Sequence, residues 1–382
     1  MIIREGFSLF RAADPDRLHF AAHSHHPWPD VTRDAHAQAW GDAARLVDDK
    51  WEHVFSEILP RTRDGIARAL NLDGSTSITF APNTHEFLNR LFSCLDPPVR
   101  VLSTGSEFHS FTRQSRRWEE EGLAIVDRVP TEPFDTFSER FTAEARSGVH
   151  DLIYLSQVFF DSGFRVTDID RIVSAVSEQK CFVVIDGYHA FMALPVDLGP
   201  IQDRAFFIAG GYKYAMSGEG VCFMHCPPGY GPRPVDTGWY AGFGQLESGV
   251  SDQIQYATDG TRFSGATFDP SGLYRMDAVL SWLNTEGIGP AEIHAHVEGL
   301  QTQFLGSVDL PWDLTPPADF HRGNFLTFKS ADAGDVYRRL HDRGVITDFR
   351  GHRLRIGFGI YQDEDDVDRL TRILTEVVGE LR

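Results

Sequence analysis

Two short apolar runs, residues 181–185 and 205–209, lie within CFVVIDGYHAFMALPVDLGPIQDRAFFIAGGYKYAMSGEG. Each is too short for a membrane span and has the unbroken hydrophobicity of a strand buried on both faces, as in a parallel sheet. The first run delivers an acid, Asp186, followed by Gly187 and His189. The second ends at Gly210-Gly211 and delivers Lys213 between Tyr212 and Tyr214. Ligands of open α/β sheets bind at the carboxyl ends of the strands, so this acid and this lysine face a common crevice.

Singly, Asp186 reads as a helix cap and Lys213 as a solvated lysine. Together they suit pyridoxal phosphate (PLP): the amine forms a Schiff base with the aldehyde, and the carboxylate keeps the pyridine nitrogen protonated. Flanking glycines let the backbone approach the ligand. Asp186-Gly-Tyr-His189, Gly-Tyr212-Lys213-Tyr214 and the following Ser217-Gly-Glu-Gly220 turn resemble fold-type I PLP enzymes of the class V aminotransferase superfamily. The Tyr-Lys-Tyr form is most similar to kynureninase. The resemblance implies an α/β, PLP-dependent transferase-like fold: a mostly parallel seven-stranded sheet with helices on both faces, plus a smaller α/β C-terminal domain. It implies an N-terminal segment (1–20) packing with the small domain, a large PLP-binding domain (21–270), a small domain (271–382), and a homodimer with sites shared between subunits.

Composition agrees with a large soluble enzyme. With 382 residues and 42% hydrophobic content the chain can bury a sizeable core. Lys+Arg 36 against Asp+Glu 55 gives −19, which argues against nucleic acid or an anionic membrane as partner. Cys94, Cys181, Cys222 and Cys226 are few for this length and fit a reduced, cytoplasmic protein. No signal pattern or membrane-length apolar run is seen.

In chain order, a short helix is expected near 7–11, and then a dense histidine cluster, His19, His23, His25 and His26. His-x-His after an apolar strand also opens many metal-dependent amidohydrolases, so a metal-dependent hydrolase built on His23 and His25 stays open. In the class V family this segment crosses the mouth of the active site, which implies that His23 and His25 touch substrate and that the protein holds no metal. Periodicity predicts a helix over 31–70, a strand over 77–80 and a helix over 86–93. The turn between these last two is an anion site by helix dipole, and an N-cap explains it almost as well. By resemblance, Asn83 and Thr84 hold the cofactor phosphate there.

A strand over 99–104 precedes Gly105-Ser-Glu107-Phe-His109-Ser-Phe111. Kynureninases stack a Phe on the cofactor four residues after the glutamate, which maps to Phe111. The desulfurase branch stacks a His directly after the glutamate, a place that holds Phe108 here, so Phe111 is the expected ring and His109 the alternative. A strand over 152–156 leads to Gln157, which the resemblance places at the cofactor ring oxygen. Beyond the central stretch and a strand over 221–224, Gly238-Trp239 and Arg262-Phe-Ser-Gly265-Ala-Thr267 match family loops that reach the phosphate, with Trp239 and Thr267 as contacts. Kynureninases carry an Asn where this chain has Gly265, a departure that argues against kynurenine itself as substrate.

Helices over 273–286, 333–343 and 363–381 and strands over 324–328 and 353–357 complete the chain. Arg353-Leu-Arg355-Ile-Gly-Phe-Gly matches the family strand whose Arg forks onto the substrate α-carboxylate, implying that role for Arg355. In the implied chemistry Lys213 carries PLP and moves the α-proton, Asp186 holds the pyridine proton, and His189 orients Asp186 or contacts the ring. Tyr212 joins Asn83, Thr84 and Thr267 at the phosphate. Kynureninase-like hydrolytic or lyase cleavage leads, with a class V aminotransferase or carbon–sulfur β-lyase as the alternative. No cysteine follows Cys226, which sets cysteine desulfurases aside. A scaffold that only binds would have no need of the lysine–acid pair.

Overall fold

The computed structural model describes residues 3–242 and 253–381. Its centre is a seven-stranded sheet made of β1 (Ile78–Ala81), β2 (Val99–Thr104), β3 (Ala124–Val129), β4 (Leu152–Ser156), β5 (Phe182–Asp186), β6 (Ala205–Gly210) and β7 (Cys222–His225), in the order β1-β7-β6-β5-β4-β2-β3. Only β7 runs against the others. Successive residues face opposite sides of a strand, so both faces need cover. Ile153, Leu155, Val183, Ile185 and Phe207 join one apolar cluster with Phe137, Phe141 and Ile172 from helices Phe137–Ala145 and Ile169–Ala175. Their neighbours Leu152, Tyr154, Phe182, Val184 and Phe206 join another with Phe87, Leu91 and Trp118 from helices Thr84–Phe92 and His109–Glu120.

A smaller antiparallel sheet, ordered Asp348–Arg350, Arg353–Gly357, Phe325–Lys329, Asp313–Thr315, forms a second domain. Helices Pro290–Ser307 and Glu364–Gly379 pack on it through Val297, Leu300, Phe304, Leu370 and Leu374. The last helix begins on a capping box between Asp363 and Asp366. Near the N-terminus, Leu18–His19 pairs in parallel with Val345–Ile346, and Ala21 bridges to Gly357, which brings the histidine-rich segment to the end of the strand carrying Arg355.

The helix expected over 31–70 is interrupted. It ends at Leu46, where Val47 turns into the left-handed region (φ 51), and resumes as helix Lys50–His53, which passes through a π-helical stretch, Val54–Ile58, into helix Leu59–Ala69. A β-branched residue at positive φ cannot continue a right-handed helix. Among the described residues no helix is long and apolar enough to cross a membrane.

Candidate active site

Strands β4, β5 and β6 stop side by side: Ser156 lies opposite Asp186, and Asp186 opposite Ile208. Beyond β6 the chain turns through Gly210 and Gly211. A Cβ on Gly210 would lie 2.3 Å from the Cys222 sulfur and 2.4 Å from the Tyr188 hydroxyl oxygen, so only glycine lets the chain pass. The turn delivers Lys213, which is 4% exposed, with its Nζ 3.0 Å from Nε2 of His189. The rings of Tyr188, Phe108 and Tyr212 lie 4.8, 5.3 and 5.7 Å from that nitrogen. Burial pushes the Lys213 amine down to about 7, against the pull of Asp186, which favours its charged form.

Asp186 is buried and doubly held: Tyr154 Oη donates to Oδ2 at 2.7 Å and the Tyr188 backbone N–H donates to Oδ1 at 2.9 Å. Burial raises its pKa, opposed by these hydrogen bonds and by Lys213. His189 is pushed well below its ordinary value by burial and by Lys213, so its imidazole is neutral; its Nε2 also lies 3.2 Å from the His23 carbonyl oxygen. The Gln157 Oε1 atom is buried without a hydrogen-bond partner.

Phe108, not Phe111, is the ring beside Lys213. Helix His109–Glu120 starts immediately after Phe108, whose extended backbone carries the ring outward. Phe111, in the first turn, points back onto the sheet and stacks on Tyr154 at 4.0 Å. Between the two elements sits Glu107, which the sequence reading passed over. Its carboxyl group accepts from Thr104 Oγ1 at 2.8 Å and from Ser156 Oγ, tying β2 to β4. Burial raises its pKa from 4.5 to about 8, opposed by these hydroxyls and reinforced by Asp186. The folded chain therefore keeps a proton that the unfolded chain releases near 4.5, so this contribution to stability is full below pH 4.5 and is lost as pH rises toward 8. Glu107→Gln should remove that decline, read as a stability difference from wild type in urea unfolding that changes between pH 5 and 8. A constant difference across that range would contradict a protonated Glu107.

Asn83 is exposed and its side-chain oxygen caps helix Thr84–Phe92, accepting from the Glu86 N–H at 3.1 Å. Thr84 follows at the first helical position. Trp239 Nε1 donates to Thr267 Oγ1 at 3.2 Å. Thr267 lines a 470 Å³ cavity shared with Phe80, Pro82 and Arg63, and is not brought to Lys213. A Cβ on Gly265 would meet Arg90 Nη2 at 2.4 Å, so the guanidinium fills the place of an asparagine side chain there.

His23 and His25 do not converge. The His23 ring is buried and stacks on Phe325 at 4.6 Å; the His25 ring stacks on Tyr212 at 5.2 Å. Among the described residues no group of three His, Cys, Asp or Glu could hold a metal ion. Arg355 is 1% exposed and donates from Nη1 to the Phe160 carbonyl at 2.6 Å, with its Cζ 4.4 Å from the Phe160 ring centroid. Its Nη2 pairs with Asp348. Asp348 and Tyr154 were also missed. A tyrosine inside the otherwise apolar strand 152–156 was the visible signal for the latter.

The donor set fits PLP: a buried lysine whose amine is pushed down to about 7, a held carboxylate, a neutral imidazole and an unpartnered buried amide oxygen. The fold and this set define a PLP-dependent enzyme of fold type I. The chain belongs to the Aminotransferase class-V family, whose pattern matches residues 32–370. It is 25% identical to isopenicillin N epimerase of Streptomyces clavuligerus over 407 residues, covering 96% of each chain. It is 26% identical to kynureninase of Deinococcus radiodurans over 264 residues, 66% of this chain and 62% of that one. Among solved structures, C-DES with glycine covalently linked to its PLP cofactor superposes with a TM-score of 0.80 at 14% identity, covering 98% of this chain and all of that one. PLP is thus the cofactor.

Proposed function

We propose that the enzyme cleaves the side chain of an amino acid in kynureninase-like fashion, by hydrolytic or lyase chemistry. The observation that carries this reading is the aromatic wall between Lys213 and Arg355. Phe108 lies 5.4 Å from Phe160, and Phe325 lies 5.5 Å from His189 and 5.8 Å from the Arg355 guanidinium carbon. Such a wall suits a neutral aromatic side chain on a substrate whose α-carboxylate is held at Arg355.

Bound PLP would supply the electron sink. Asp186 holds a proton at the pyridine nitrogen and, being braced by Tyr154 and Tyr188, does not shift when it does so. Lys213, its amine pushed down to about 7 by burial, takes and returns the α-proton. His189 accepts or gives a hydrogen bond beside that nitrogen, and Gln157 offers Oε1 to a donor. The rings keep water away from the amine. Asn83, Thr84 and Tyr212, with Trp239 and Thr267 across a subunit boundary, are proposed for the phosphate. Large apolar side chains in solvent, Trp40, Val235, Trp239 and Ile254, support a homodimer, and a one-chain mass by light scattering would contradict it. Four unpaired cysteines support a reducing, cytoplasmic setting.

The Cys222 thiol is buried beside Tyr188 and pushed up to about 12 by burial, which leaves it unfit as a sulfur-accepting nucleophile. The experiment supplies the holoenzyme with amino acids bearing an aryl ketone two carbons from Cα, with cystine, and with amino acid plus 2-oxo acid. Alanine with an aromatic carboxylic acid is the expected product pair. Pyruvate from cystine, a new 2-oxo acid, or inversion at Cα without cleavage would each replace this reading with a carbon–sulfur lyase, an aminotransferase or an epimerase.

A further inference from the structure

We propose that Asp348 is a resident counter-ion that weakens the carboxylate subsite around Arg355, so that selection falls on the substrate's side chain. This rests on Arg355 being the carboxylate anchor, as proposed above. The two residues face each other in register on adjacent antiparallel strands, which fixes their side chains on one face. The Asp348 carboxylate pairs with Arg355 Nη2, the Phe160 carbonyl takes Nη1, and Nε is buried with no hydrogen-bond partner. The Nε–H is therefore the guanidinium donor left for a ligand, and the charge is already balanced.

Asp348 has somewhere else to put its charge. Its Oδ1 accepts from Arg350 Nη1 at 2.7 Å, and Oδ2 lies 3.7 Å from Nε2 of His23. Both His23 ring nitrogens are buried without a hydrogen-bond partner. The ring fits only because residue 357 is glycine: a Cβ there would lie 2.1 Å from Nδ1. An arriving α-carboxylate thus exchanges one carboxylate–guanidinium contact for another, while Asp348 keeps Arg350 and its place beside His23. The exchange nets little electrostatic free energy. Affinity must come from what the side chain buries against Phe108, Phe160 and Phe325, and small amino acids then bind poorly.

The test measures binding of L-alanine and L-phenylalanine to the holoenzyme by calorimetry, in wild type, Asp348→Asn and Arg350→Gln. Removing the charge at 348 is expected to tighten alanine binding about tenfold and to narrow the preference for phenylalanine. Arg350→Gln, which takes away the alternative partner of Asp348, is expected to weaken alanine binding several-fold. Weaker or unchanged alanine binding in Asp348→Asn would overturn the proposal, because Asp348 would then only orient Arg355. If that variant does not fold, Arg350→Gln decides alone, and unchanged or tighter binding there overturns it. Binding is read without turnover, so a failed side-chain cleavage assay leaves this result intact, and the reverse also holds.

Discussion

Lys213→Ala is expected to lower turnover by roughly 10³-fold or more while leaving the chain folded. The side chain sits in a buried aromatic cage, so alanine removes an amine that costs free energy to bury. What is lost is the one nitrogen positioned both to attach the cofactor and to move a proton. His189, 3.0 Å away, is the next basic group. Burial holds its imidazole neutral, so it can supply a small residual rate in the variant, and small amines entering the space left by Lys213 should raise that rate. Turnover within tenfold of wild type would remove Lys213 from the chemistry.

Asp186→Asn is expected to lower kcat by about 10²-fold or more with little change in cofactor affinity. The amide oxygen can still accept from Tyr154 or from the Tyr188 N–H, so the strand end keeps its shape. The negative charge disappears, together with one of the two accepted hydrogen bonds. A buried carboxylate is worth most where it faces a cation, and a protonated pyridine nitrogen is the cation proposed for it. Tyr154 strengthens the case: burial and Asp186 raise its pKa well above the ordinary value, so it stays a donor and cannot take over the negative role. Steady-state kinetics beside a cofactor titration check this. A kcat near wild type would show that Asp186 serves the fold and not the ring.

The parts of this site that were legible in the sequence lie close together along the chain. Asp186, His189 and Lys213 follow buried strands directly, and an unbroken apolar run marks its own end. β3 escaped because it is an edge strand: Asp127 and Arg128 are half-buried, and its apolar pattern is broken. Phe111 was expected at the cofactor and Phe108 is the ring beside Lys213, because the start of helix His109–Glu120 decides which ring faces outward and the sequence does not declare it. The pairing of Asp348 with Arg355 depends on strand register, which a hairpin between polar residues does not declare in advance. Gly265 was read as a missing asparagine. In the fold it is the space that Arg90 occupies while holding the Phe263 carbonyl at 3.1 Å and pairing with Glu86.

The chain has only four lysines, Lys50, Lys180, Lys213 and Lys329, and of these Lys213 alone is buried. Borohydride reduction of the holoenzyme followed by peptide mass mapping therefore gives a direct answer. A reduced PLP adduct confined to the peptide carrying Lys213, with loss of the visible absorbance band, is the expected result. An adduct on another lysine, or none after PLP has been supplied, would contradict the assignment of this crevice as the catalytic centre.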